Sequence, residues 1–525
     1  MGLHCTLPFF FLSCFLVNFS SSEVSPCAPK IYEGAFKNLV CVCNSTYCDE
    51  IEPLGTVQNG VVVVYRSTLD GDRLKRMSSK LRNRSKLRDF EANVTITVDA
   101  RNQMQPIIGF GGAFTDAAGE NLVALNDAAR KKLLEAYFGR NGLEYNMGRV
   151  PIASCDFSVR EYSYDDVSED FGLKNFSLAQ EDMDYKIPFI ISAINLTQGN
   201  LQLFASPWSA PGWMKTTGKM RGGGPLRNDS RVYKTYADYF VKFFEAYRSK
   251  GIQYWGLTIQ NEPSTGADMD WRWQTMNFTA ETMRDFLRGY LGPALKANEA
   301  TRDLKVMVLD DGRGLLPGWA DTMFADPETA KYADGVAVHW YGNLYSPAIL
   351  LSKTNEKHPD KFLFATEACA GYAGHHGPIM GDWFRAESYA DDIITDLNNW
   401  VRGWTDWNLC LDETGGPNWV FNVVDAPIIV NRTAQEFYKQ PMFYALGHFS
   451  KFFTRGSKRI TVKVEGSLAV SGTAVVLDGG QRALVLLNKA SSNTSASIVD
   501  AATNDVIQLE LPARSIHTVV WNKKK

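Results

Sequence analysis

The run Thr258-Ile259-Gln260-Asn261-Glu262-Pro263 closes an apolar, strand-like stretch from Gln253 to Ile259. A second β-rich stretch, Lys361-Phe362-Leu363-Phe364-Ala365-Thr366-Glu367, also ends on a carboxylate. Two glutamates at the C-terminal ends of two strands can divide the work of breaking a glycosidic bond. One gives a proton to the leaving oxygen, and the other attacks the anomeric carbon or activates water. A lone strand-end glutamate is more often a solvated surface carboxylate. Asn-Glu-Pro after an apolar strand, answered by a second strand-end Glu, is the sharper signal. By chemistry, Glu262 is assigned as general acid/base, in surroundings that should raise its pKa, and Glu367 as the ionised nucleophile. Carboxyl groups about 5–5.5 Å apart would mean retention at the anomeric centre, and about 6.5–9.5 Å inversion.

Other polar and aromatic residues collect at the same expected edge: Asp156 and Phe157, Trp208, Asn261, His339-Trp340-Tyr341 and Trp407. Carboxylate and amide groups bind sugar hydroxyls, and indole faces stack on the C–H side of the ring. The blander reading is tryptophan as barrel-top core and His339 as a structural histidine. No His-Glu-x-x-His or clustered His/Asp set implies a metal, and Gly109-Phe110-Gly111-Gly112-Ala113 lacks the lysine of a phosphate loop. Neither metal nor cofactor is therefore expected.

These residues need a scaffold that brings strand ends together. From Pro106 the chain alternates strand and helix. Strands are expected at Ile107–Phe110, Tyr145–Ile152, Leu201–Ser206, Gln253–Ile259, Leu304–Leu309, Gly335–Val338, Lys361–Ala365 and Val401–Trp407. Helical periodicity marks Asp127–Phe138 and Tyr236–Lys250, the latter ending at Gly251, a C′ residue. This pattern predicts a (β/α)₈ barrel with its site at the strand C-termini, Glu262 after strand four and Glu367 after strand seven. Pro441–Phe453 reads as a last barrel helix. Short alternating strands from Arg459 to Trp521 should pair with Val61–Tyr65 and Ala92–Val98 in a β-sandwich built from both chain ends. The expected organisation is a signal peptide at 1–22 and a small disulfide-pinned β unit at 23–52 with 409–440. The sandwich takes 53–104 with 457–525, and the barrel 105–408 with 441–456.

The 525 residues suffice for a large core plus accessory units. Net charge is −3 with a pI near 6.2, which gives no basic field for nucleic acid. The apolar run Thr6–Phe19 followed by Ser20, Ser21 and Ser22 reads as a secretory signal, although its n-region lacks Lys and Arg. No other run is long enough to span a bilayer, so a soluble product is expected. Cys27, Cys41, Cys43 and Cys48 crowd together and can pair in three ways. Cys155, Cys369 and Cys410 are expected as buried free thiols. Sequons at Asn44, Asn83, Asn93, Asn175, Asn195, Asn228, Asn277, Asn431 and Asn493 suggest a glycosylated luminal or extracellular protein.

At this point the motifs become recognisable. Gly109-Phe110-Gly111-Gly112-Ala113, Ala153-Ser154-Cys155-Asp156-Phe157-Ser158, Ala205-Ser206-Pro207-Trp208 and Asn261-Glu262-Pro263 are joined by Val338-His339-Trp340-Tyr341. Gly403-Trp404-Thr405-Asp406-Trp407-Asn408, Gly415-Gly416-Pro417-Asn418-Trp419-Val420 and Lys439-Gln440-Pro441-Met442-Phe443-Tyr444 follow. Together they make the chain resemble glycoside hydrolase family 30 from Cys27 to His517. The resemblance implies cleavage of glucosylceramide to glucose and ceramide, with retention, in an acidic lysosomal lumen. It implies Glu262 as acid/base and Glu367 as nucleophile. Asp156, Trp208, Asn261, Trp407 and Asn422 would bind glucose, with Phe157 and His339 counted in the same pocket and Tyr341 beside the nucleophile. It also implies Cys27–Cys41 and Cys43–Cys48 pairing, an anionic phospholipid surface and a saposin-type activator as partners. The loops Ser264–Met276, with Trp271 and Trp273, and Tyr372–Trp383, with His375 and His376, depart from the mammalian pattern. Both are expected to flank the pocket mouth, so aglycone preference is where this chain should differ. The alternatives are a relative acting on a steryl glucoside or β-1,6-glucan, a catalytically silent glycolipid-binding protein, and secretion instead of lysosomal delivery.

Overall fold

The computed structural model describes residues 24–34, 36–83 and 92–523, so the expected signal peptide lies outside the described residues. Eight parallel strands close into a barrel: β1 (Gly109–Ala113), β2 (Met147–Ile152), β3 (Gln202–Pro207), β4 (Gly256–Thr258), β5 (Lys305–Gly312), β6 (Gly335–His339), β7 (Phe362–Glu367) and β8 (Val401–Asn408). β8 pairs with β1 to complete the ring. All eight expected strands are present. The first is displaced: apolarity marks Ile107 and Ile108, but the strand runs through the glycines. Close approach is the reason, since a Cβ on Gly111 would lie 1.9 Å from the Met147 carbonyl oxygen. β4 is shorter than expected at both ends. Met147, Phe204, Met307, Ala337 and Phe364 plug the barrel interior, leaving the strand C-termini free for polar side chains.

The helices follow their local signals. Asp127–Phe138 is capped by the Asn126 side chain, which accepts from the Ala129 N–H, and it buries Leu133, Leu134 and Tyr137. The helix expected from Tyr236 begins earlier, at Ser230, because Asp229 caps it. It ends before Gly251, whose φ of +81° suits a C′ glycine. Pro441–Ser450 is buried along its whole length, where barrel and accessory sheets meet.

Strands Val61–Thr68, Lys75–Lys80, Arg82–Asn83 and Val94–Pro106 interleave with six strands between Lys458 and Trp521 in one ten-stranded ladder. Its core includes Val62, Ile96, Leu484, Ile498, Val519 and Trp521. Val94–Pro106 shifts register twice against Lys458–Glu465, which bends the ladder over that core. A five-stranded sheet joins Pro29–Tyr32 and Asn38–Asn44 to Leu411–Asp412, Ile428–Asn431 and Glu436–Lys439. Cys27–Cys41 and Cys43–Cys48 pin it, and Cys155, Cys369 and Cys410 are buried free thiols.

Candidate active site

The strand ends are locked together before they present any side chain to the cavity. On β5, Leu309 and Asp310 both take left-handed backbone (φ 73° and 61°), and the β5–β6 register slips between Leu309 and Asp311. This bulge turns the Asp310 carboxylate into the barrel, where it is fully buried. There it accepts from Arg149 Nη2 (2.8 Å), Thr258 Oγ1 (2.6 Å) and Thr366 Oγ1 (2.7 Å) and lies 3.0 Å from His339 Nε2. The Asp310 carbonyl accepts the Glu262 N–H at 2.9 Å. Glu262 is itself left-handed at φ 43°, a strained position for a side chain with a Cβ, and strain of this kind concentrates at functional sites.

Arg149, from β2, is the central cation. Nη1 donates to Glu367 Oε2, Nη2 also to Asn261 Oδ1 (2.9 Å), and Nε to Ser206 Oγ (3.1 Å). Its guanidinium lies 5.0 Å and 5.5 Å from the ring centres of Trp208 and Trp407, which stack at 5.1 Å. Glu367 takes a second hydrogen bond from the Tyr341 hydroxyl at 2.7 Å. One carboxylate oxygen each of Glu262 and Glu367 and a ring nitrogen of His339 lie within 4.8 Å of one another.

Burial pushes the Glu367 carboxyl above the ordinary glutamate range, against the opposing pull of Arg149 and His339. Desolvation pulls His339 down, but the Glu367 and Asp310 charges and its hydrogen bonds outweigh this and set it at about 10. It is therefore an imidazolium with carboxylates on both nitrogens. Burial would raise Asp310, yet Arg149 and His339 hold it well below the usual carboxylate range. Asp156, where desolvation outweighs the hydrogen bond from Asn422, is raised to about 7.

A cavity of about 290 Å³ opens over this network, lined by Asp156, Phe157, Trp208, Asn261, Glu262, Tyr341, Glu367, Trp407 and Asn422 among others. Asn422 Nδ2 donates to Asp156 Oδ2 at 2.9 Å. These residues come from seven separate loops or strand ends that the barrel gathers. His339 is the exception among the expected pocket residues: it stands behind Glu262, outside the cavity lining, because both its nitrogens already face carboxylates. Of the two divergent loops, Thr265, Trp271 and Trp273 line the cavity, and so does Tyr372, whereas His375 and His376 are exposed and do not. Arg149 and Asp310 were not singled out from the sequence. Their signal was present, a lone arginine inside an apolar strand and an Asp-Asp pair at the end of another. Among the sequons, Asn93, Asn175, Asn195, Asn228 and Asn493 are exposed, and Asn44, Asn83, Asn277 and Asn431 are half-buried.

The comparisons with known proteins agree with this geometry. A family model described as "Glycosyl hydrolase family 30 TIM-barrel domain" matches residues 107–453, and the family 30 beta sandwich domain matches 456–519. The Caenorhabditis elegans protein named "Putative glucosylceramidase 3" is 71% identical over 500 residues, covering 95% of each chain. The lysosomal acid glucosylceramidase of Mus musculus is 42% identical over 504 residues, 95% of this chain and 96% of that one. Among solved structures, SrfJ from Salmonella typhimurium superposes with a TM-score of 0.81 at 28% identity, covering 88% of this chain and all of that one. Barrel, sandwich and sequence similarity across nearly the full length place one conclusion beyond the fold itself: the chain is a member of glycoside hydrolase family 30.

Proposed function

We propose that this protein is a retaining β-glucosidase that hydrolyses glucosylceramide to glucose and ceramide by double displacement. The observation that carries the reading is the closeness of Glu262 and Glu367, with carboxylate oxygens within 4.8 Å in one cavity. That spacing suits a nucleophile working beside an acid/base and leaves too little room for the intervening water of an inverting enzyme. Glucose enters with Asp156, Trp208, Asn261, Trp407 and Asn422 around its hydroxyls and Phe157 behind Trp407. Glu262 protonates the glycosidic oxygen while the Glu367 carboxylate, oriented by Arg149 and Tyr341, attacks the anomeric carbon. The bond to ceramide breaks and a glucosyl–Glu367 ester forms. Glu262, now ionised, takes a proton from water, which attacks the same carbon and releases β-glucose and free Glu367.

The aglycone assignment rests on the relatives named glucosylceramidase and on the rim of the site. Leu344, Tyr345 and Phe421, each 85% exposed, stand on loops after β6 and β8, with Met269 after β4. Large apolar side chains so exposed suit a substrate presented from lipid, with an anionic phospholipid surface and a saposin-type activator as partners. Among the described residues no helix is long and apolar enough to cross a membrane, so the association is peripheral in this reading. Work in an acidic lysosomal lumen is supported by the similarity to the mouse protein named lysosomal acid glucosylceramidase. The exposed sequons suit glycosylation on the way there.

A test is hydrolysis of a β-glucoside by the purified protein near pH 5 with an anionic phospholipid, comparing wild type with Glu367→Gln and following the product anomer. β-Glucose released first, and activity lost in the variant, is the expected outcome. α-Glucose first, or full activity in the variant, would overturn the retaining assignment.

A further inference from the structure

The loop after β4 carries Trp271 and Trp273 into the cavity wall, yet it has no regular strand or helix of its own beyond one short turn at Pro263–Ala267. What holds it is the loop after β3. Lys215 from that loop is 1% exposed and its ammonium donates to three backbone carbonyls, Met220 (2.9 Å), Gly222 (2.8 Å) and Thr275 (2.6 Å). Two acceptors lie in its own loop, and the third follows Trp273 by two residues. No carboxylate forms an ion pair with Lys215 among the described residues, so the cation is satisfied by main-chain dipoles alone.

The backbone around it is zipped. Gly222 N–H donates to Trp273 O (3.1 Å), Gly223 N–H to Asp268 O (2.9 Å), Gly224 N–H to Gly266 O (2.9 Å) and Thr275 N–H to Met220 O (3.4 Å). The approach is so close that a Cβ on Gly223 would lie 2.4 Å from two carbonyl oxygens of the opposite loop. An ammonium with three donors can bridge three carbonyls that would otherwise point their negative ends at one another. Removing it takes a donor from all three buried carbonyls and leaves Met220 only the 3.4 Å bond from the Thr275 N–H.

The position of this junction decides what it does. The loop continues directly from Glu262, the group we assign as proton donor to the leaving oxygen, so its residues flank the aglycone. Thr265 lines the cavity and its hydroxyl lies 2.6 Å from that of Thr275, tying the start of the loop to the Lys215 acceptor residue. Trp271 and Trp273 pack edge-to-face at 4.7 Å, and the Trp271 indole N–H has no hydrogen-bond partner among the described residues. It is a buried donor at the cavity wall.

We propose that Lys215, which touches no substrate, is a positioning residue that sets aglycone recognition by pinning the Trp271–Trp273 platform to the loop after β3. Glucose is held by the deep polar set and does not depend on this pin, whereas the amide and hydroxyls of a sphingoid aglycone meet the platform. The inference rests on the β-glucosidase reading above.

The experiment compares Lys215→Met, Trp273→Ala and the double variant on two substrates sharing glucose: a short-chain fluorescent glucosylceramide and a small aryl β-glucoside. For Lys215→Met the expected result is a tenfold or greater loss of kcat/KM on the glycolipid, carried by KM. On the aryl glucoside the change should stay within threefold. Trp273→Ala should lose the glycolipid to the same degree through KM, and on that substrate the double variant should lose no more than either single one, because both remove the same platform. Equal losses on the two substrates, no loss on either, or fully multiplicative losses in the double variant would overturn the proposal. If Lys215→Met does not fold, Trp273→Ala paired with Gly223→Ala, which forces the same loops apart, puts the same question. A wild type that cleaves neither glucoside would instead sink the β-glucosidase reading.

Discussion

His339 Nδ1 lies 3.1 Å from Glu262 Oε1, while the other face of the same ring is fixed at 3.0 Å by Asp310. The acid/base is thus held by a buried cation that is locked from behind. Because His339 lies outside the cavity lining, its replacement should act on chemistry more than on binding. His339→Gln is expected to lower kcat by about 10–100-fold with KM changed little, for a residue that orients a proton-transfer group worth about 10²–10⁴ in rate. Steady-state kinetics on an aryl β-glucoside would show this split, and a KM effect without a kcat effect would contradict it.

The two glutamates should separate under azide. Glu367→Gly is expected to lose activity by about 10³-fold or more and to form α-glucosyl azide, since azide then enters from the vacated nucleophile face. Glu262→Ala should turn over activated aryl glucosides slowly and give β-glucosyl azide, because azide intercepts the covalent intermediate from the opposite side. Product stereochemistry by NMR distinguishes the two, and reversed anomers would exchange the assigned roles.

Arg149 is completely buried and serves Glu367, Asp310, Asn261 and Ser206 at once. Arg149→Met strands two carboxylates and should cost about 3–5 kcal/mol of stability as well as activity. Arg149→Lys keeps the charge but loses the planar fork, so it should remain folded with kcat well below wild type. Denaturant midpoints alongside kinetics would test both, and a fully active lysine variant would show that the fork is dispensable.

Asp156 gives a pH prediction with a definite sign. Its carboxyl titrates at about 7 in the folded chain, against about 3.9 when unfolded. Between these values the folded state holds the extra proton, so this group's contribution to stability falls as pH rises from about 4 to about 7. The full change is at most about 4 kcal/mol. Burial lowers His448 well below its usual range and His517 to about 3, and both act in the opposite sense below about pH 6.5. The Asp156 effect is therefore read by difference: Asp156→Asn should gain on wild type as pH rises from 4 to 7.5 in urea melts. Parallel pH curves for the two proteins would refute it.

The eight barrel strands, the two glutamates, most of the cavity lining and the four paired cysteines were legible in the sequence, the pairing itself through the family resemblance. They were legible because strands announce themselves by local apolarity and because strand-end residues in a barrel need no knowledge of their neighbours to be placed at one face. Gly111 shows the limit of the same logic: its strand was displaced because the deciding contact, with Met147, lies in another strand.

The electrostatic centre was decided by tertiary structure. Nothing local says that Arg149 on β2 and Asp310 on β5 would meet at 2.8 Å, or that a backbone bulge would turn Asp310 inward. His339 has a residue type equally suited to binding sugar or to bracing a carboxylate. Only the two carboxylates that arrive from β4 and β5 choose between them. The sequence by itself determined which groups are available and which end of the barrel they occupy, since both follow from residue type and strand order. Their charge states and partners depend on burial and on distances across the barrel, and those exist only once the eight strands have closed.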